Sequence, residues 1–251
     1  MNDMTPRFCA DLIRENGRVV ALTGAGISTA AGIPDFRGPQ GLYVTRQYDA
    51  EKVFDINAFL RDPGPFYEFS RDFLAKVESL EPTFTHRFLT ELEELDLLLC
   101  VVTQNIDFLH QKAGSKGVLS VHGDYWTSHC LACGLEIGFE LLCLKVRSEA
   151  IPLCDACGGL IKPDVVFFGE AVKSMSEAAE AVNEAGLLLV LGSSLTVYPS
   201  ASLPQHARCP VVVVNRGDVG LEQGPNRYFV DADLDEFFGE VSEIMGEVED
   251  F

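Results

Sequence analysis

Two cysteine pairs, Cys130-x-x-Cys133 and Cys154-x-x-Cys157, stand twenty residues apart. Two residues between thiolates let one turn of chain present both sulfurs to the same ion, and a second such turn completes a tetrahedron. Four thiolates leave no open coordination position, so the expected ion is one structural zinc. Disulfides or idle thiols are the competing use of these cysteines. Cys9, Cys100, Cys143 and Cys209 are scattered singly, and His129 is surplus to a four-sulfur site.

A second set of residues suits a nucleotide. Gly24-Ala25-Gly26 follows the apolar run Val19-Val20-Ala21-Leu22-Thr23 and precedes a helix-like stretch. Glycines there let the main chain approach a phosphate held at a helix start. Thr29 replaces the third glycine of the dinucleotide fingerprint, and the acidic residue expected about 20 positions on is absent. A tight turn without a ligand would use the same glycines. Thr103-Gln104-Asn105-Ile106-Asp107 follows another apolar run, and His122 a third. Polar residues just past strand ends line the crevice of an open parallel sheet, so Gly24, Asn105, Asp107 and His122 are expected to converge. Singly, each also suits a turn or a helix cap.

The elements that must position these residues alternate between strand and helix. Hydrophobic spacing predicts helices over 5–16, 27–31, within 55–95, and over 106–112, 175–185 and 234–248. Buried strands are expected at 19–23, 97–103, 118–121, 187–191 and 211–214, with 165–168 extended and a long loop at 32–48. Near-continuous apolar strands between helices indicate an α/β fold, a parallel sheet covered on both faces. The 251 residues are 47% apolar and 23% charged, enough for a sizeable core and unlike a disordered chain. No apolar run reaches the ~18 residues of a membrane span, and the polar N-terminus lacks a signal peptide's apolar core, so no membrane is expected and the expected compartment is the cytoplasm. A net charge of −19 disfavours direct nucleic-acid binding and would attract a basic partner, or simply serves solubility.

Several blocks together resemble the sirtuins. These are Gly24-Ala25-Gly26-Ile27-Ser28, Gly32-Ile33-Pro34-Asp35-Phe36-Arg37, the Thr103–Asp107 run, His122-Gly123, the cysteine pairs, Pro163–Glu170 and Gly192-Ser193-Ser194-Leu195. The resemblance spans essentially the whole chain. It implies a Rossmann-like NAD-binding domain of residues 1–128 and 158–251, with a helical insertion at about 36–82 and a small zinc-binding module at 129–157. It also implies an NAD-dependent protein-lysine deacetylase that moves the acetyl group to ADP-ribose as nicotinamide leaves. His122 would be the general base. Ala25, Gly26, Asp35, Phe36 and Arg37 would lie along NAD, with Gln104 and Asn105 at the nicotinamide ribose, Ile106 beside them and Asp107 at the carboxamide. Gly192, Ser193, Ser194, Asn215 and the main chain near Ala232 would hold the phosphates and adenosine. Val166, Phe168 and Gly169 would line the groove for an acetyl-lysine peptide, with NAD and one zinc as the groups required.

Two departures bear on substrate and cofactor. Relatives that prefer succinyl- or malonyl-lysine carry Tyr-x-x-Arg in the helical module, whereas here Tyr67 is followed by Arg71, one position late. That favours neutral acyl groups. Arg216 also replaces a small apolar residue after Asn215. On the same scaffold, mono-ADP-ribosyl transfer or NAD hydrolysis needs no acyl-lysine groove, and an NAD-sensing zinc protein needs no general base.

Overall fold

A computed structural model of the protein describes residues 4–34 and 49–247. The expectations placed on Asp35, Phe36 and Arg37, and most of the loop expected at 32–48, fall outside the described residues.

Strands β1 (Val19–Thr23), β2 (Leu98–Thr103) and β3 (Val118–Ser120) are followed by β4 (Thr127–Cys130), β5 (Glu136–Gly138) and β6 (Ile161–Pro163), then β7 (Leu187–Leu191), β8 (Val211–Val214) and β9 (Arg227–Val230). Two sheets result. One is fully parallel in the order β3-β2-β1-β7-β8-β9, and the other is antiparallel in the order β5-β4-β6. The helices are α1 (Pro6–Asn16), α2 (Ala50–Val53), α3 (Ile56–Arg61), α4 (Gly64–Val77), α5 (Phe84–Glu94), α6 (Leu109–Ala113), α7 (Phe139–Ser148), α8 (Met175–Glu184) and α9 (Leu234–Gly246). None of them is long and apolar enough to cross a membrane.

The strand period of two divides the apolar residues of the large sheet between its faces. Val19 and Ala21 join Leu187, Leu189 and Leu191 in one core with α1, α5 and α9. Val20 and Leu22 join Leu188 and Val190 in another with Ala178 and Val182 of α8. Both layers are needed because central parallel strands bury both faces. Local chemistry fixes the helix starts. Thr5 Oγ1 accepts the Phe8 N–H to begin α1, and Asp233 accepts the Asp235 and Glu236 N–H groups to begin α9. Asp235 then accepts the Phe84 and Thr85 N–H groups, tying α9 to the start of α5.

A third core joins the helical segment to the cysteine-bearing segment. Phe59, Phe66, Tyr67 and Phe69 pack with Tyr125, Ile137, Leu142, Cys130, Cys154 and Phe167. The helical stretch expected within 55–95 is three helices, α3 to α5, broken at Asp62-Pro63 and again before Thr83. The helix expected at 27–31 is a single 3-10 turn, Ala25–Ser28, and that expected at 106–112 is α6, which starts at Leu109 after the left-handed N-cap Phe108, with Asp107 accepting the Leu109 N–H. Expectation did not include β4, β5, β6, β9, α7 or the one-turn α2. The first three are short strands and α7 a helix around the cysteine pairs, where spacing speaks only for the metal. Strand β9 is a half-buried edge strand, which lacks the continuous apolar signal of β7 and β8.

Candidate active site at the carboxyl edge of the sheet

Strands β1 and β7 are neighbours in the middle of the sheet, with β2 and β3 on one side and β8 and β9 on the other. The crevice of a doubly wound sheet opens at such a reversal of strand order. There the two strand ends touch main chain to main chain. Gly26 N–H donates to Gly192 O at 2.9 Å, and a Cβ on Gly26 would stand 2.6 Å from Gly192 Cα. Only glycines allow that approach, which leaves bare backbone where a phosphate can come close. This fits a nucleotide. Toward the edge, Asn215, Gly217, Asp218, Phe229 and Asp231 line an open cavity of about 240 Å³ past the ends of β8 and β9. Ala232 does not line it and packs instead against the first core. Arg216 reaches Asp233 at 3.2 Å.

Past β2 the chain carries Gln104, Asn105, Ile106 and Asp107 across this corner. Asn105 Nδ2 donates to Gly24 O at 3.1 Å and to Ser28 Oγ at 3.3 Å. Gln104 Nε2 donates to Ser193 Oγ at 3.0 Å, joining the loop after β2 to the loop after β7. Asp107 is buried, receiving the Ser28 hydroxyl at 2.6 Å and the Leu109 N–H at 3.0 Å. Burial pushes its carboxyl above the ordinary range, against those two bonds. Ile106 packs on the third core, and Ser194 turns away to Thr196.

His122, two residues beyond the end of β3, has its two ring nitrogens distinguished by their surroundings. Nδ1 lies 3.0 Å from Gln104 O, and a carbonyl can only accept, so Nδ1 carries the proton. Nε2 is therefore a bare lone pair. Ser200 Oγ lies 3.3 Å from it, with its one hydroxyl proton also in reach of Val197 O at 2.9 Å and Gln104 Oε1 at 3.4 Å. Burial holds the ring below its ordinary pKa, which keeps it neutral and basic near pH 7. Such a group can take a proton from a hydroxyl in the crevice.

The segment after β6 runs beside this histidine. Val166 N–H donates to His122 O at 2.8 Å, Phe168 N–H donates to Phe54 O at 2.7 Å, and Ile56 N–H donates to Phe168 O at 3.1 Å. Phe168 is nevertheless 48% exposed, and Gly169 follows it at the surface. Those bonds occupy the N–H groups of Val166 and Phe168 and the Phe168 carbonyl, so the segment is itself paired on this side.

The four cysteines expected at a metal come together, with all their Sγ atoms within 4.8 Å of one another. Cys130 and Cys157 Sγ are 3.4 Å apart and Cys133 and Cys154 Sγ 3.8 Å, far beyond a disulfide and close to the ~3.8 Å edge of a zinc–thiolate tetrahedron. The two knuckles are copies. Gly134 N–H donates to Cys130 O at 2.9 Å and Gly158 N–H to Cys154 O at 2.8 Å, with φ of +73° and +71° at the two glycines. Each glycine closes its turn in a left-handed conformation that a side chain disfavours.

Sequence reasoning gave no role to Ser28, Ser200, or the buried Thr23, Thr103 and His110 around this corner. Ser28 lay in a quoted block. Nothing in its own stretch marks Ser200, which reaches His122 across 78 positions of sequence.

Comparison with known proteins places the arrangement in context. The signature described as the Sir2 family matches residues 24–199. An NAD-dependent protein deacetylase of Thermotoga maritima is 43% identical over 217 residues, covering 84% of this chain and 87% of that one. Another from Sulfolobus acidocaldarius is 41% identical over 213 residues, covering 84% and 80%. A Sir2 structure with a deacetylated p53 peptide and 3'-O-acetyl ADP-ribose is 40% identical, with a TM-score of 0.88 over 96% of this chain and 98% of that one. A Sir2–p53 peptide–NAD+ structure is 39% identical, with a TM-score of 0.86 over 97% and 98%.

Proposed function

The chain belongs to the Sir2 family, and from that premise we propose that it is an NAD-dependent protein-lysine deacetylase whose general base is His122. NAD, when bound, supplies the sugar that receives the acetyl group as nicotinamide departs. The observation that carries the reading is the neutral imidazole with its Nδ1 proton spent on Gln104 O and its Nε2 lone pair turned toward Ser200, beside the glycine corner of β1 and β7. A binding module has no use for a general base.

Each residue has a task in this scheme. His122 Nε2 removes a proton from a ribose hydroxyl so that the sugar oxygen can take over the acyl group. Asn105, held by Gly24 O and Ser28 Oγ, and Gln104, held on Ser193, orient the ribose. Asp107 recognises the carboxamide from its buried place beside Ser28. Gly24, Ala25, Gly26, Gly192 and Ser193 would serve the phosphates and Asn215 the adenosine, Ser194 would offer its main chain because its hydroxyl is turned to Thr196, and Asp35, Phe36 and Arg37 are assigned to NAD by the family resemblance. Val166, Phe168 and Gly169 would line the groove for the acetyl-lysine segment. The zinc on Cys130, Cys133, Cys154 and Cys157 is structural, and thiolates of this kind persist in a reducing cytoplasm. A basic peptide suits the net charge of −19.

The experiment is mass spectrometry of an acetyl-lysine peptide incubated with the protein, with and without NAD. Loss of the acetyl mass only with NAD, together with O-acetyl-ADP-ribose, is expected. An unchanged peptide while NAD is consumed would overturn the reading in favour of NAD hydrolysis.

The acyl preference follows from two side chains. Tyr67 is fully buried and its hydroxyl donates to Ile161 O. Arg71 spends its guanidinium on the Val146, Glu149 and Ala150 carbonyls at the end of α7. The Tyr67 hydroxyl is thus committed, and Arg71 is held through Nη1 at the end of α7. A succinyl group would then bury an unpaired charge at a cost of several kcal/mol. Acetyl-lysine peptides should turn over well and succinyl-lysine peptides poorly, and equal kcat/KM on matched peptides would refute this.

A further inference from the structure

Beneath the corner that holds Asn105 lie two fully buried histidines outside the proposed chemistry, His86 on α5 and His110 on α6, their ring centroids 4.6 Å apart. Each has one ring nitrogen satisfied and one without a partner, namely His86 Nε2 and His110 Nδ1. Buried polar atoms rarely stay unpaired, because water is no longer present to solvate them.

The satisfied nitrogens fix both tautomers. His86 Nδ1 accepts the Thr83 N–H at 3.3 Å, which requires a bare nitrogen there and puts the proton on Nε2. Thr23 gives its only hydroxyl proton to Thr103 Oγ1 at 2.9 Å. At its contact of 2.9 Å with His110 Nε2, Thr23 must therefore accept, so His110 also carries its proton on Nε2 and leaves Nδ1 bare. The unpaired atom of His86 is thus a donor and that of His110 an acceptor. Burial holds both rings below the ordinary histidine pKa, His86 at about 3, so both are neutral as such a bond requires.

We propose that His86 Nε2–H donates to His110 Nδ1, and that His110 is thereby a positioning residue for Asn105; the second half rests on the deacetylase reading. As they stand the rings are adjacent but the two nitrogens are not yet bonded, and turning the rings together would close a continuous buried chain. It runs from the Thr83 N–H through His86 and His110 to Thr23 Oγ1, then to Thr103 Oγ1, which also accepts the Asn105 N–H at 3.1 Å. Thr23 and Thr103 face each other in register at the ends of β1 and β2, so the chain sets the spacing of the two strand ends that present Gly24 and Asn105. The start of α5 and the ribose corner are thus one hydrogen-bonded unit.

The test has a spectroscopic arm and a kinetic arm. Long-range ¹⁵N–¹H spectra of the unmodified protein should show His86 and His110 both as Nε2–H tautomers, with a slowly exchanging proton on His86 Nε2. An Nδ1–H tautomer at either ring would overturn the pairing. In the kinetic arm, His110→Phe keeps a ring of similar shape without nitrogens, and His110→Gln keeps a donor toward Thr23. We expect His110→Phe to fold but melt below wild type, since His86 and Thr23 each lose a buried partner, and to lose about tenfold in kcat with the acetyl-peptide KM within about twofold, and His110→Gln to recover most of both losses. Wild-type kcat in a folded His110→Phe protein would remove the positioning role. If the Phe variant fails to fold, the spectrum of the unmodified protein still decides the pairing, and the folded Gln variant must then keep kcat near wild type for the role to stand. An inactive wild type showing both tautomers would sink the deacetylase reading and leave the pair standing.

Discussion

Deacetylation by a His122→Ala protein should fall about 10³- to 10⁴-fold, the upper part of the range for loss of a general base, while acetyl-peptide binding persists. The upper part is expected because no other described side chain is placed to take over. Ser200 Oγ lies 3.3 Å from Nε2, and a neutral hydroxyl is no base near pH 7. The binding surface is separate from the lost ring, since Val166 is held by the main-chain carbonyl of His122, which alanine retains. The competing account is a histidine that only fills space, and then activity would fall in step with stability. The measurement is a deacetylation rate paired with a thermal melt on the same preparation. A folded variant with more than about a tenth of the wild-type rate would take His122 out of the chemistry.

The pH profile carries the same test in wild type. A base must be neutral to act, so activity is lost as pH falls through its pKa. Burial places that pKa below the ordinary histidine value of about 6.5, so the acid limb should lie below pH 6.5 and disappear with His122. A limb at or above the ordinary value would mean that the ring is not desolvated in the working enzyme.

Loss of a single zinc thiolate should have the largest effect on stability. Structural zinc sites contribute on the order of 10 kcal/mol of apparent binding free energy, comparable with the whole stability of a domain. Here the site has little else to replace it. Strands β4 to β6 are short, and Leu131, Leu135 and Leu153 nearby are exposed rather than packed. Cys130 and Cys154, moreover, share a core with Phe66, Tyr125 and Phe167, next to the proposed peptide channel. Cys154→Ala, or chelation of the wild type, should therefore remove the metal, lower the melting temperature of this part of the molecule and weaken peptide turnover more than NAD binding. Elemental analysis of fresh protein should give one zinc per chain. Metal-free protein, or a Cys154→Ala variant with an unchanged melt, would refute the assignment.

Most of what is local was legible in the residues. The apolar runs at β1, β7 and β8 announced a parallel sheet because strands buried on both faces admit almost nothing polar. The Cys-x-x-Cys pairs announced a metal site because ligand geometry is set within four residues, and the glycines after β1 announced a close approach. Less local features misled or stayed silent. The stretch at 27–31 had helical spacing but folds as one 3-10 turn, and β9 gave no signal because an edge strand need not be apolar on both faces.

The sequence by itself determined the apolar strands of the parallel sheet, most of its helices, the four candidate metal ligands and the strand ends at which polar residues cluster, since these depend on neighbours a few positions apart. Tertiary structure alone decided what those residues are able to do. The proton on His122 Nδ1 is set by Gln104 O, 18 positions away, and the hydroxyl at its Nε2 comes from Ser200, 78 positions away. Asn105 is aimed by Gly24 across 81 positions, and Gly26 owes its close fit to Gly192 on the neighbouring strand. Spacing along the chain cannot carry such information, because a tautomer, an orphan donor or a main-chain contact exists only once the sheet has brought distant strand ends within a few ångströms of each other.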